Sequence, residues 1–388
     1  MLKHKEIGFI GLIAACITVV AAGFFSQASA ADPDYLVEYK LHSEALANGD
    51  NAAAAEHGKA AWEAAEAALG DHKLTATLAF NYGRLIALSD PTTARAPLRR
   101  AQELLDAGIG ELPQSEVRAY LAYAEYIAGK TRLRAAKKLR EALLALEAEF
   151  GEPTATDVVM WLDLAKGELQ TKRYSRSLEA AEKAEADIAT LWPDNIDKMG
   201  EALLLQGIAT LVPFPRTIED VLAASKLFDR IFQLYPPQKS FEDFDVILAR
   251  AIAWEAATDA ALLSHRKKPE GPPEDESEHD PVEAEPYILF ESDRNRPDDC
   301  GIEWETRIPP RYPNTPLYRG YIGAVMVVYD LGDDLVVHNP RILAEVPADA
   351  FSKAVRKSIR SWRLKAPSVD HPACRTNQLT QFTFIIEE

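Results

Sequence analysis

The 388-residue chain is poor in cysteine, with only Cys16, Cys300 and Cys374, and poor in basic residues, with 43 Lys and Arg against 60 Asp and Glu and a formal charge of −17. The shortage of positive charge excludes a general nucleic-acid binder, because contacts to phosphate need a basic surface. Metal and thiol chemistry have no foothold either. The eight histidines are scattered, with no H-E-x-x-H and no close His/Cys pair, so neither zinc hydrolysis nor a thiol-redox motif is indicated. A G-x-x-x-x-G-K phosphate loop and a G-x-S-x-G elbow are missing too. His338 and His371 read as structural or exposed side chains. No catalytic residue, metal ligand or cofactor is expected, and the class of function that remains is binding.

What is present is unevenly distributed. The length exceeds what a single core carries, so two or more domains are expected. Residues 31–265 hold a charge of −12 and residues 266–286 hold −5, while residues 287–388, with 13 positive and 14 negative side chains, are nearly neutral. Residues 1–30 have the layout of an export signal: Lys3 and Lys5, an uncharged apolar run from Ile7 to Phe25, then Ala28-Ser29-Ala30 before Ala31. The cleavage site favours removal and a periplasmic mature chain. Nineteen apolar residues also make a helix of roughly 28 Å, nearly enough to span a bilayer, so a retained inner-membrane anchor is the rival reading. Lipidation at Cys16 is a third, opposed by the apolar run that continues past it. Removal of the signal leaves Cys300 and Cys374 as an even pair in a compartment that permits disulfides, and a bridge is expected, the alternative being two unrelated buried thiols.

From Tyr35 to His265 the spacing of apolar residues by three and four predicts helix throughout, with prolines only between helices. A period near forty residues emerges in His72–Gly110, Pro113–Gly151, Thr154–Pro193 and Asn195–Pro237, preceded by a less regular hairpin over Tyr35–Leu69 with its turn at Asn48-Gly49-Asp50. Gly83, Ala124, Ala165 and Gly207 take comparable places in successive first helices, where paired helices must approach closely. The stretch Gly70-Asp71-His72, Thr75-Ala76 and Asn81-Tyr82-Gly83 resembles the kinesin-light-chain subtype of tetratricopeptide repeats. That resemblance implies a superhelix with a concave binding groove over residues 31–265, closed by a helix within Phe241–His265. Residues 266–286, rich in Pro, Glu and Asp, read as a linker.

Beyond the linker the period changes to that of strands. Tyr321–Tyr329 and Leu335–Ile342 flank the turn Leu331-Gly332-Asp333-Asp334 and predict a β-hairpin. Pro347 and Asp349 open a helix with Phe351, Val355, Ile359 and Trp362 on one face, and Leu379–Ile386 alternates as a last strand. Pro310-Arg311-Tyr312-Pro313, then Gly320, Gly323, Val325-x-Val327 and Asp330-x-Gly332, followed by Ile359-x-x-Trp362-Arg363 and Gln381-Phe382-Thr383-Phe384, resemble the C-terminal domain of TonB-family energy transducers. Residues 287–388 are accordingly expected to form a small α+β domain, a three-stranded antiparallel sheet with two helices. Departures are Pro316, the widened turn at Asp333-Asp334, a long Ser368–Asn377 segment and the extension Tyr287–Ile302.

The resemblance implies protein partners. In TonB relatives the last strand accepts a short extended peptide of an outer-membrane TonB-dependent transporter, and the Tyr-Pro region touches the transporter too. The positions that carry over are Leu379, Thr380, Gln381 and Thr383 on the strand and Arg311, Tyr312 and Pro313 before it, although Tyr312 and Pro313 also suit a simple helix start. Phe351, Trp362, Phe382 and Phe384 are expected in the core. Three functions follow as expectations: a periplasmic adaptor binding one partner by strand addition and another in the repeat groove; an anchored energy transducer engaging an ExbB/ExbD-type motor; or an envelope-assembly scaffold.

Overall fold

The computed structural model describes residues 32–129, 132–213, 216–235, 245–266, 300–319, 321–365 and 374–385. The expected signal segment and the linker after Arg266 lie outside them, as do Pro367 and His371. Two compact units divide at Glu152 and Pro153.

The first unit consists of α1 (Asp34–Ala47), α2 (Asn51–Leu69), α3 (Lys73–Ile86), α4 (Pro91–Asp106), α5 (Gln114–Ala128) and α6 (Arg132–Phe150), each packed on its neighbours in sequence. The starts are written locally. Asp50 accepts from the Ala53 amide ahead of α2, and Asp90 from the Thr93 amide ahead of α4, whose first residue is proline. Such caps satisfy backbone donors that a helix leaves unpaired. Close approach explains the small residues: a side chain at Gly83 would bring Cβ within 2.6 Å of Leu98 on α4.

The second unit opens with α7 (Ala155–Gln170), α8 (Tyr174–Leu191), α9 (Ile196–Leu211), α10 (Ile218–Leu234) and α11 (Val246–Arg266). Thr154 with Asp157, and Thr217 with Asp220, form reciprocal capping boxes at the starts of α7 and α10. Phe228 of α10 lies over Gly207 of α9 as Leu98 lies over Gly83. The helix pairs fall where the repeat period places them, but prolines are not confined to the gaps between helices: Pro97 is buried inside α4.

The remainder of this unit holds β1 (Trp304–Thr306), α12 (Asn314–Tyr318), β2 (Gly323–Leu331), β3 (Val337–Val346), α13 (Ser352–Ile359), β4 (Arg363–Leu364) and β5 (Gln378–Phe384). The main sheet is antiparallel in the order β3-β2-β5, and β1 pairs with β4 in a separate two-stranded ribbon. That ribbon is an addition to the expected three strands. The helix also begins later than Pro347 and Asp349 suggest. Asp349 has φ of 59°, outside helical geometry, and the Glu345 carboxylate on β3 receives the amides of Phe351 and Ser352 at the true start.

β2 is buried on both faces. Val325, Val327 and Tyr329 pack with Phe351, Val355, Ile359 and Trp362 below α13, while Ala324 and Met326 join Ala344 and Val346 in a core shared with α11. The acidic composition of the linker suggests two separate domains, yet the closing helix of the array covers one face of the sheet. The cause is visible in α11, whose Leu248, Ala249, Ala253 and Ala257 are all buried, with small residues where strands must come near.

Candidate partner-binding edge

β5 pairs with β2 over seven register positions, from Gly323↔Phe384 to Tyr329↔Gln378. Among the described strands nothing pairs with its other side. An edge strand of this kind presents backbone donors and acceptors to an incoming extended segment. Its two faces differ. Phe384 is buried and Phe382 partly buried against the α13 side, and Leu379 packs toward the α11 side, but Gln381 and Thr383 are exposed. The α11 face therefore covers β2 and leaves the outer half of β5 open.

A second element borders the edge. The Arg307 guanidinium lies 4.7 Å from the Trp362 ring centroid and 5.7 Å from that of Trp304, and donates to Thr380 Oγ1 at 3.3 Å. Cation–π contact with two indoles holds an otherwise exposed arginine in place beside β5. The chain stays there because Trp362 Nε1 donates to the Ile308 carbonyl at 3.0 Å and the Ser358 hydroxyl donates to the same oxygen. Upstream, Cys300 and Cys374 form the expected disulfide, Cα atoms 5.6 Å apart, tying the start of this segment to the approach of β5.

The Tyr-Pro positions separate by role. The Tyr312 ring stands edge-on to Phe351 at 5.6 Å and to Phe384 at 5.5 Å, and its hydroxyl donates to the Tyr321 carbonyl. Burial pushes that phenol up to about 12. Pro313 caps α12, and Arg311 is exposed. So Tyr312 anchors the segment to the core while Arg311 faces outward. Phe351, Trp362, Phe382 and Phe384 fall in one cluster, as their pattern indicates. Trp304, Arg307 and Ile308 were not singled out by sequence; the signal available was an aromatic set between charges just ahead of the Tyr-Pro pair. No group of three or more His, Cys, Asp or Glu that could hold a metal ion occurs among the described residues.

Residues 308–386 match the family model for the Gram-negative bacterial TonB protein C-terminal. The chain is 36% identical over 61 residues to Protein TonB of Yersinia enterocolitica, covering 16% of this chain and 24% of that protein. It thus spans about a quarter of the length of the curated relative it matches. Among solved structures, the Pseudomonas aeruginosa TonB C-terminal domain is similar with 26% identity and a TM-score of 0.21, over 24% of this chain and 92% of that one. The TPR-like repeats of a Podosopora anserina kinesin light chain share 15% identity and a TM-score of 0.38, over 53% of this chain and 97% of theirs.

Proposed function

Taking residues 308–386 as a TonB C-terminal domain, we propose that the chain is a cell-envelope protein-binding adaptor, acting without catalysis. One partner adds an extended segment to the open side of β5, and a second binds the helical repeats. The observation that carries the reading is the edge of β5, unpaired among the described strands and bordered by the pinned Arg307 and by exposed Gln381 and Thr383. Backbone pairing supplies affinity in such complexes, and alternate side chains supply selectivity. An outer-membrane TonB-dependent transporter is the proposed source of the segment, and the periplasm the proposed location.

The apolar run Ile7–Phe25 favours a second reading. Retained in the inner membrane, it would make the chain an energy transducer driven by an ExbB/ExbD-type motor, with the helical repeats in place of an extended spacer. Among the described residues no helix is long and apolar enough to cross a membrane, so this reading rests on the first residues alone.

Lysines placed on an open edge oppose strand addition, and Gln381 and Thr383 have side chains free to change. The full chain carrying Gln381→Lys and Thr383→Lys is expected to recover its envelope partner at least about tenfold less than wild type in a quantitative pull-down, since two unfavourable contacts of roughly 1 kcal/mol each are added. Amides of β5 are expected to gain hydrogen-exchange protection when partner is bound to wild type. Equal recovery by both chains, with β5 unprotected, would refute strand addition at this edge.

A further inference from the structure

Helix α13 carries a charge pattern that partner binding at β5 does not use. Lys353, Arg356, Lys357 and Arg360 recur at i, i+3, i+4 and i+7, so they form one stripe, opposite the buried Val355 and Ile359. All four are exposed, and together with Ser352 they line a shallow depression of about 500 Å³. No acidic residue occurs between Ser352 and Lys365. Arg356 donates to the Pro340 carbonyl, and among the described residues none of the four meets a carboxylate. The stripe concentrates four positive charges in a chain of net charge −17. Desolvated or not, four like charges within about 10 Å repel one another and attract any multivalent anion.

We propose that the occupant of this stripe is the chain's own acidic segment, residues 270–285. Charge complementarity is the first argument. This segment has eight Asp and Glu and no Lys or Arg, with four carboxylates in the five residues Glu274 to Glu278. Extended, those five residues span about 13 Å, close to the length of the stripe. Connectivity is the second. Residues 267–299 run from Arg266, the end of α11, to Cys300, whose disulfide fixes it to the sheet domain carrying α13. Thirty-three residues reach at most about 110 Å, and α11 and α13 flank opposite faces of one sheet, so the span is no obstacle. A tethered ligand is present at millimolar effective concentration, which an untethered acidic peptide must outcompete. An anionic membrane is the weaker candidate. The charge of the whole chain opposes approach to a negative surface.

The test uses the full chain and a fluorescein-labelled synthetic peptide of residues 270–285, titrated by anisotropy at low ionic strength. Three chains are compared: wild type, one with the eight carboxylates of the segment changed to Gln or Asn, and that chain with Lys353→Gln, Arg356→Gln, Lys357→Gln and Arg360→Gln added. The neutralised chain is expected to bind peptide at least about tenfold more tightly than wild type, because the tethered competitor is gone. Adding the four stripe substitutions is expected to abolish that binding, as is about 0.5 M salt. Acetylation of Lys353 and Lys357, followed by mass spectrometry, is expected to speed up when the segment is neutralised. Equal peptide affinity for wild type and neutralised chains, with equal acetylation rates, would overturn the proposal. So would peptide binding that survives loss of the stripe, or stripe-dependent binding of wild type to phosphatidylglycerol vesicles.

Discussion

At the scale of single residues, the helical repeats depend on positions where a side chain has no room. Gly207 lies against the Phe228 ring, and that phenylalanine is itself fully buried. Gly207→Val is expected to cost about 1–3 kcal/mol by overpacking, seen as a lower midpoint in urea with an unchanged slope. An unchanged midpoint would mean that α9 and α10 can separate at no cost. These crossings were legible from sequence because the small residues recur at one place in the period. Arg307 was not legible, since its role depends on Trp304 and Trp362, which are far apart in sequence and come together only when β1 pairs with β4. Tyr312 was legible as a motif and ambiguous as a role; the structure gives its ring to the core and leaves Arg311 outside.

Elements are legible in the sequence wherever period and caps agree. The helix pairs, the hairpin and the last strand all lie within a few residues of their expected bounds. The start of α13 lies later than its sequence suggests because its cap is Glu345, a side chain from the preceding strand that no local pattern reports. Within the α10–α11 pair, Glu255 accepts from the Ser225 hydroxyl, and its titration is pushed up to about 8 by burial, with Asp259 and Asp229 adding to the rise. The folded chain therefore holds a proton that the unfolded chain releases above the ordinary carboxylate range. Stability from this group is complete below about pH 4.5 and is lost as pH rises toward 8. Glu255→Gln, which keeps the shape and removes the charge, is expected to raise the melting temperature at pH 8 by several degrees and by little at pH 5. A melting temperature equally changed at both pH values would show that the ionised form is not disfavoured in the fold.

For the molecule as a whole, the disulfide holds the segment with Trp304 and Arg307 to the sheet. Its closed loop spans 74 positions, so constraint of the unfolded chain alone predicts about 4.5 kcal/mol of stability. Replacement of Cys300 and Cys374 by Ala is expected to lower the melting temperature of the second unit and to weaken partner recovery through β5, checked by calorimetry alongside the pull-down. Retained recovery despite lower stability would separate the bridge from the binding edge. What no sequence pattern revealed is that one face of the sheet belongs to α11. Its alanines read as ordinary repeat packing, and only the fold shows that they also face Ala324 and Met326.

That shared face has a mechanical consequence for a partner strand added as proposed. A pull entering through a strand laid on β5 runs along the ladder with β2, where seven residue pairs resist it together in shear instead of opening one after another. β2 in turn is clasped from both sides, by α13 and by α11. On the proposed strand addition, tension received at the edge would reach α11 through β2 and not stop within the sheet.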